Sequence, residues 1–269
     1  MTEKEIILSS ILNCPRSSLY SGDLSFNLKA RKSLSRYLSL RSQGLPLQYI
    51  LGEVEFFGLM LKVDKRVFIP RPETEILVET AGNKLKDKKG EFRLLDLGTG
   101  SGCIAISLAK FLPSASLTAV DISQEALRVA KRNARLHNVD SRIEFLQSDL
   151  FTGYLPAGRQ ASARVTGYDM IISNPPYIRS QDIEHLQKEL QYEPRIALDG
   201  GVSGLDFYRR IIQDTPGFLK KDGLLLLEIG FSQCPKIKNL LQRSHNFEII
   251  DIVRDYADIE RVLVVKKHG

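Results

Sequence analysis

A tetrapeptide in the second half of the chain, Asn174-Pro175-Pro176-Tyr177, has the composition needed to hold a weakly nucleophilic nitrogen. It follows the apolar run DMIIS, where two prolines end a strand and fix the backbone φ. The side-chain oxygen of Asn174 and the carbonyl of Pro175 can then accept both N–H bonds of one amide or amine. Acceptors fixed in this way stabilise the positive charge that develops as the nitrogen is alkylated. The tetrapeptide predicts group transfer to a planar amide or amine nitrogen, with Asn174, Pro175 and Tyr177 as catalytic residues.

Two interpretations of the Tyr177 ring stay open. It can lie against the substrate amide and near the cationic centre of the alkyl donor, where cation–π attraction is worth about 0.5–2 kcal/mol, or it can pack in the core. The proton of an N-alkylated amide is acidic enough to leave to water, so no strong base is required. The histidines are scattered, and we interpret them as surface or packing residues. They are His137, His185, His245 and His268.

A glycine-rich loop, DLGTGSG at 96–102, lies between an apolar run and a helical pattern. Its glycines let the backbone turn sharply and approach a ligand, and the helix that follows presents free N–H groups to an anion. Alone, such a loop indicates a dinucleotide site or only a tight turn. The predicted cofactor contacts are Asp96, Gly98, Thr99, Gly100, Ser101 and Gly102. Asp96 has the alternative of a purely structural residue at a strand end.

Two further acids follow the next two strand-like runs. Asp121 ends SLTAVD, at the distance along the chain where a carboxylate can accept the hydroxyls of an adenosine ribose. Asp149 can accept an adenine amino group, or it can cap a helix; Ile122 and Leu150 would supply apolar faces for the ring. A dinucleotide fingerprint needs glycine at its sixth position, where this chain has Cys103. The spacing therefore favours S-adenosylmethionine over NAD.

Hydrophobic patterns predict the elements that position these residues. Residues 1–52 show helical periodicity, and residues 53–70 alternate like a β-hairpin broken by Gly58. Residues 71–269 alternate strands with helices, which predicts an α/β fold with a doubly wound, mostly parallel, seven-stranded sheet. No convincing helix separates the last two strands, FEIIDIV and RVLVVK, so an antiparallel edge pair is expected. The segment 155–167 has few large apolar residues and is predicted to be a mobile loop.

The composition is that of an ordinary globular protein. The chain has 269 residues, of which 43% are hydrophobic and 26% charged, and its three cysteines are isolated, so neither disulfides nor a metal site is expected. The N-terminus lacks a secretory signal and no apolar run is long enough for a bilayer, which favours the cytoplasm. The net charge of +6 permits a nucleic-acid partner without requiring one. Part of it lies in a predicted solvated linker that contains Lys84, Lys86, Lys88 and Lys89.

Several motifs taken together make the sequence resemble the release-factor glutamine N5-methyltransferases of bacteria and organelles. They are PLQYILGEVEFFGL at 46–59, FIPRPETEILVE at 68–79, DLGTGSGCIAISLA at 96–109, AVDIS at 119–123, SNPPYI at 173–178 and EPRIALDGGVSGL at 193–205. NPPY alone is also found in adenine-N6 DNA and guanine-N2 RNA methyltransferases. The combination with IPRPETE and EPRIALDGG in this order is much more specific.

The resemblance implies transfer from S-adenosylmethionine, leaving S-adenosylhomocysteine, to the glutamine of the Gly-Gly-Gln loop in class I peptide chain release factors. It implies that the N-terminal helices and hairpin dock this protein substrate, with no membrane and no nucleic acid required. The matching positions assign the glutamine clamp to Asn174, Pro175, Pro176 and Tyr177, with Asn174 also near the cofactor. Arg71 and Glu73 match the proline-flanked segment, and either line the cleft or brace the hairpin.

Two departures from the family pattern stand out. The segment 155–167 is longer than usual, which makes the boundary near Leu150 less definite, and Asp258 occupies a position where the family often has glycine. Two other functions are compatible with part of this pattern. A nucleic-acid amino-group methyltransferase would share NPPY and a basic charge, but no separate nucleic-acid-binding domain is evident. A non-catalytic binding factor would retain its function after substitution of Asn174.

Overall fold

The computed structural model describes residues 2–20, 27–87, 90–152 and 167–268. Its N-terminal part contains the helices α1 (Glu3–Leu12), α2 (Leu28–Ser42) and α3 (Leu47–Leu51). Thr2 begins α1 with a reciprocal capping box, in which its side chain and that of Glu5 each accept a backbone N–H. This confirms the expected N-terminal helical region. Within the described ranges, no helix is both long enough and apolar enough to cross a membrane.

A two-stranded hairpin follows, with β1 (Glu53–Phe56) paired antiparallel to β2 (Leu59–Lys62). Its turn residues Phe57 and Gly58 both have positive φ, 50° and 71°, as a type I′ turn requires. The Glu75 carboxylate accepts the Phe57 N–H at 2.8 Å, which ties the turn to the next helix. The hairpin lies inside the predicted 53–70 segment; the division of the chain at residues 52 and 70 stays a prediction.

Helix α4 (Pro72–Leu85) was not recognised from the sequence. Pro72 occupies the first turn, where its missing N–H costs nothing, and Glu73 and Glu75 follow in the same turn. The linker interpretation was therefore wrong for Lys84, which lies in this helix and pairs with Asp251 at 2.9 Å. Lys88 and Lys89 lie outside the described residues.

The main sheet has seven strands in the order β5-β4-β3-β6-β7-β9-β8. The strands are β3 (Phe92–Leu97), β4 (Ala115–Asp121), β5 (Ile143–Gln147), β6 (Tyr168–Ser173), β7 (Leu219–Glu228), β8 (Phe247–Arg254) and β9 (Glu260–Lys267). The pairs from β5 to β7 are parallel, and β9 runs antiparallel to both β7 and β8. The predicted fold class and the antiparallel final pair are confirmed.

Helices cover both faces of this sheet. They are α4 together with α5 (Cys103–Phe111), α6 (Gln124–Leu136), α7 (Asp206–Asp214) and α8 (Cys234–Ser244). Successive strand residues alternate between two cores: Leu94 packs with α4 and α5, whereas Leu95 packs with α7 and α8. The central strands are apolar on both sides for this reason.

Most of the predicted loop at 155–167 lies outside the described residues, which resume at Gly167. Asp258 has a φ of +62° in the turn between β8 and β9. Glycine adopts this conformation without steric cost, which explains why a related sequence would carry glycine at this position.

Candidate active site

The sheet topology places the glycine loop and the NPPY tetrapeptide side by side. Neighbouring strands β3 and β6 connect to opposite halves of the sheet, so a crevice opens at their carboxyl ends. The Ser173 hydroxyl donates to the Leu97 carbonyl at 2.8 Å and joins the two strand ends. A cavity of about 370 Å³ opens there, and we refer to it as the cleft. This volume is in the usual range for small-molecule sites, about 300–1,000 Å³.

Most residues predicted for the site line this cleft. They are Arg71, Glu73, Gly98, Thr99, Gly100, Ser101, Asp121, Ile122, Asp149, Leu150, Asn174, Pro175, Pro176 and Tyr177. Asp96 and Gly102 do not line it. Gly102 begins α5, and a side chain there would meet Ile106 at 2.8 Å and Ala130 at 3.2 Å. Its role in the structure is therefore the close packing of α5 on α6.

Asp121 supports the glycine loop from the end of β4. One carboxylate oxygen accepts the Gly100 N–H and the other accepts the Ser123 N–H, both at 2.8 Å. Burial raises the pKa of Asp121, and these two backbone hydrogen bonds oppose the increase. Each oxygen keeps a lone pair for a further donor such as a ribose hydroxyl.

Asp149 lies near the rim of the cleft rather than deep within it. Its carboxylate pairs with Arg210 at 2.8 Å, and both side chains are partly exposed. The next residue, Leu150, is buried and has a φ of +53°. Ile122, which also lines the cleft, remains 45% exposed and leaves an apolar surface available to a flat ring.

Asp96 is completely buried beneath the glycine loop. The Thr99 hydroxyl donates to Oδ2 at 2.6 Å, whereas Oδ1 has no hydrogen-bond partner in the described part of the chain. Burial raises the pKa of Asp96 to about 7, against the opposing hydrogen bond from Thr99. This geometry matches a structural residue that holds the loop from behind.

The elevated pKa of Asp96 predicts a pH-dependent stability. The folded protein holds this proton more tightly than the unfolded chain, whose aspartates titrate near pH 3.9. Stability from this group is therefore complete below about pH 4 and is lost as the pH rises through about 7. We expect Asp96→Asn to reduce the slope of unfolding free energy against pH between pH 4 and 8, measured by urea denaturation. Parallel curves for the two proteins would contradict this.

The NPPY tetrapeptide is fixed by contacts from three directions. The Asn174 amide nitrogen donates to the Thr74 hydroxyl at 3.0 Å, and Pro175 is buried. Gln233 donates to the Tyr177 carbonyl at 3.0 Å. A side chain at Gly200 would meet the Tyr177 backbone at 2.7 Å, so only glycine permits this approach. The DGG segment is therefore a packing partner of NPPY.

Tyr177 lies at the boundary between the cleft and the core. Its side chain lines the cleft and also packs against the core between the sheet and α7–α8. Burial raises the pKa of its hydroxyl to about 12, so the side chain is neutral at physiological pH. A neutral ring at this place offers an apolar and π-rich wall to the cleft.

The lining residues that the sequence analysis missed include three whose side chains form hydrogen bonds or carry charge. Glu228 ends β7, Thr74 lies on α4, and Arg261 begins β9 and pairs with Asp255 at 2.8 Å. A carboxyl directly after four leucines at a strand end is the same signal that identified Asp96 and Asp121, so Glu228 was recognisable. The other two positions depended on a helix and a strand order that the pattern did not reveal.

Arg71 both lines the cleft and joins two motifs. Its guanidinium pairs with the buried carboxylate of Glu193, which also accepts the Ile69 N–H at 2.8 Å. The guanidinium lies 4.8 Å from the centroid of the Phe68 ring. The segment 68–71 is thereby attached to the EPRIALDGG loop. Glu73 lines the cleft, and the contact that braces the hairpin turn comes from Glu75 instead.

We expect Arg71→Met to destabilise the fold by about 1.5–3 kcal/mol, since it removes a charge-assisted hydrogen bond from a buried carboxylate. The exposed pair Arg128–Glu125 provides the control: Arg128→Met should change the unfolding free energy by about 1 kcal/mol or less. The double variant Arg71→Met, Glu193→Gln should lose less than the sum of the single variants. Additive losses would show that the two residues act independently.

No group of three His, Cys, Asp or Glu side chains in the described ranges is arranged to hold a metal ion. The cleft lies at the carboxyl ends of the strands and is built from a glycine loop, acidic residues at strand ends and a tetrapeptide fixed by two prolines.

A family model described as methyltransferase small domain matches residues 72–202. The release factor glutamine methyltransferase of Thermodesulfovibrio yellowstonii is 37% identical over 268 residues, covering 98% of this chain and 92% of its own length. That of Geobacter sulfurreducens is 41% identical over 244 residues, covering 90% and 81%.

A methyltransferase structure from Pyrococcus furiosus shares the fold with a TM-score of 0.57 at 17% identity, covering 89% of this chain and 98% of that one. The extent and identity of the sequence matches show that this chain belongs to the release factor glutamine methyltransferase family.

Proposed function

We propose that this protein transfers the methyl group of S-adenosylmethionine to the side-chain amide nitrogen of the glutamine in the Gly-Gly-Gln loop of class I release factors. The observation that carries the proposal is the orientation of Asn174. Its amide nitrogen is held by Thr74 at 3.0 Å, which leaves Oδ1 as an acceptor at the wall of the cleft. Family membership supports the identity of the substrate.

The residues of the cleft fit S-adenosylmethionine. The glycine loop and the start of α5 offer backbone N–H groups to a carboxylate, and the Asp121 oxygens suit ribose hydroxyls. Ile122 and Leu150 offer apolar surface for a purine, with the Asp149 carboxylate at the rim. When bound, the cofactor supplies an electrophilic methyl group on a sulfonium, and S-adenosylhomocysteine remains afterwards.

The chain's own contribution is to orient and polarise the amide. Oδ1 of Asn174 and the carbonyl oxygen of Pro175 accept the two N–H bonds of the glutamine, which favours the charged, tetrahedral nitrogen that forms during transfer. Among the described residues, no backbone donor occupies the Pro175 carbonyl. Tyr177 covers the amide with a neutral ring. The excess proton passes to water. Holding the reactants in this orientation lowers the barrier by about 7–11 kcal/mol at most.

The N-terminal helices and the hairpin are proposed to dock the release factor. Two contacts support this by connecting the N-terminal region to the segment 189–192, in which Leu190 lines the cleft. Arg41 pairs with Glu189 at 2.5 Å, and the Tyr192 hydroxyl donates to the Gln43 carbonyl at 3.1 Å. Because the proposed substrate acts at the ribosome, we assign the reaction to the cytoplasm.

Methyl labelling with radioactive S-adenosylmethionine tests the proposal. The protein is incubated with a class I release factor, with the same factor carrying Gln→Ala in its Gly-Gly-Gln loop, and with total RNA or DNA. We expect labelling only of the release factor that retains the glutamine. Equal labelling of the two factors would refute the glutamine assignment, and labelling of nucleic acid alone would favour the amino-group methyltransferase instead.

A further inference from the structure

Glu228 is a buried carboxyl group at the wall of the cleft for which the mechanism above has no use. It ends β7, is 2% exposed and lines the cleft beside the NPPY tetrapeptide. Its Oε2 has no hydrogen-bond partner within the described ranges. Burying a carboxyl oxygen without a hydrogen-bond partner is unfavourable. The four residues before it are leucines, so the strand itself does not need a polar residue here.

Several charged and polar groups around Glu228 influence its pKa. Burial raises its pKa to about 7, and hydrogen bonding from Thr74 and Asn174 opposes the increase. The Arg261 charge also lowers the pKa, whereas the nearby Glu73 raises it. Strands β6 and β7 pair in parallel with Ser173 opposite Leu227, so the residues that follow them, Asn174 and Glu228, lie side by side at the two strand ends. The Thr74 hydroxyl oxygen accepts a hydrogen bond from the Asn174 amide nitrogen.

An asparagine amide needs such neighbours because its two ends have nearly the same shape. Rotation by half a turn about the last side-chain bond exchanges Oδ1 with the NH₂ group. In the wrong orientation, the clamp would present a donor to the N–H bonds of the substrate. The Thr74 hydroxyl can both donate and accept, so by itself it does not select one orientation. Above about pH 7, where most of Glu228 is ionised, its carboxylate accepts only.

We propose that Glu228 is a positioning residue that keeps the Asn174 nitrogen turned away from the substrate and its Oδ1 turned toward it. This inference rests on the proposed function, in which Oδ1 is one half of the glutamine clamp. Thr74 provides the second acceptor for the same NH₂ group. Glu228 itself does not touch the substrate amide; it acts through Asn174.

A rescue experiment separates this role from a merely structural one. Asn174→Asp removes the ambiguity of orientation but places a second carboxyl group beside Glu228, so we expect kcat to fall about 100-fold. Glu228→Gln alone should lower kcat about 10-fold with little change in KM, because glutamine can donate to the wrong end of the amide. The double variant should be at least 10-fold more active than Asn174→Asp, since glutamine donates to the aspartate and leaves its other oxygen for the substrate.

A double variant no more active than Asn174→Asp would overturn the inference. Glu248→Gln, on the exposed side of β8, is the matched control and should keep wild-type kinetics. Cofactor affinity, measured by calorimetry for every variant, shows whether the folded cleft is retained.

A second measurement does not depend on the substrate. In protein with ¹⁵N-labelled asparagine, hydrogen exchange of the Asn174 NH₂ group should be slow and should accelerate at least 10-fold in Glu228→Gln. Unchanged exchange would refute the inference even if the release factor is methylated. If exchange accelerates but no release factor is labelled by the wild-type protein, then the proposed substrate is wrong and the positioning role stands.

Discussion

Asn174→Ala is expected to lower kcat for methyl transfer about 100- to 1,000-fold, by analogy with removal of one fixed polar contact to a transition state. The substitution removes Oδ1, which accepts an N–H bond whose charge grows during the reaction. It also leaves the Thr74 hydroxyl without its donor. The measurement is single-turnover labelling of the release factor under saturating cofactor, so that kcat is separated from binding.

The matched control is Asn83→Ala, an exposed position on α4 that is far from the clamp contacts. It should retain the wild-type rate and cofactor affinity. If Asn174→Ala kept more than a tenth of the wild-type rate, then Asn174 would not be the acceptor that drives the reaction. The clamp mechanism would then have to be abandoned.

Gly200→Ala is expected to reduce kcat about 100-fold even though Gly200 is not assigned a contact with the substrate. A methyl group at this position would lie 2.7 Å from the Tyr177 Cα and 2.8 Å from the Pro176 carbonyl oxygen. Both are backbone atoms and cannot turn aside as a flexible side chain could. The tetrapeptide must therefore shift, and a displacement of about 1 Å can cost about 100-fold in rate.

The control is Gly217→Ala, because a Cβ at Gly217 meets no atom within 4 Å. Thermal unfolding of both variants shows whether the fold is retained. We expect Gly200→Ala to bind S-adenosylmethionine with little change, since the glycine loop lies on a different strand end. Wild-type kcat in Gly200→Ala would show that the position of NPPY tolerates displacement, against the orientation argument.

Together these two variants distinguish the chemistry of the clamp from its placement. Asn174→Ala removes an accepting atom and leaves the backbone in position. Gly200→Ala keeps every atom of the tetrapeptide and changes only where it lies. Comparable losses from both would support the view that orientation, rather than a strong base, accounts for most of the catalysis.

Much of the fold and the site was predictable from local sequence. The apolar runs fixed the strands because a parallel sheet covered on both faces requires them. The glycine loop, Asp121 and NPPY were recognisable because each interrupts a regular pattern at the carboxyl end of a strand. Asp258, with its φ of +62°, stood out only through the resemblance, as a position where the family often has glycine.

Other features required the tertiary structure. Helix α4 was missed because its proline-containing beginning resembles the end of the preceding extended segment. The insertion of β9 between β7 and β8 was not encoded in any local period. Asp96 was predicted as a cofactor contact from its place in the chain, and only the structure shows that its side chain is completely buried, bonded to Thr99 and outside the lining of the cleft.

The sequence by itself determined which residues stand at strand ends, because periodicity and glycine or proline chemistry act over a few neighbouring residues. Only the tertiary structure decided which of these ends meet, as it did for Glu228 with Asn174 and for Arg71 with Glu193. The physical reason is that such pairs join residues far apart in the chain. Their contacts depend on strand order and on the packing of side chains between layers, and neither leaves a local signature.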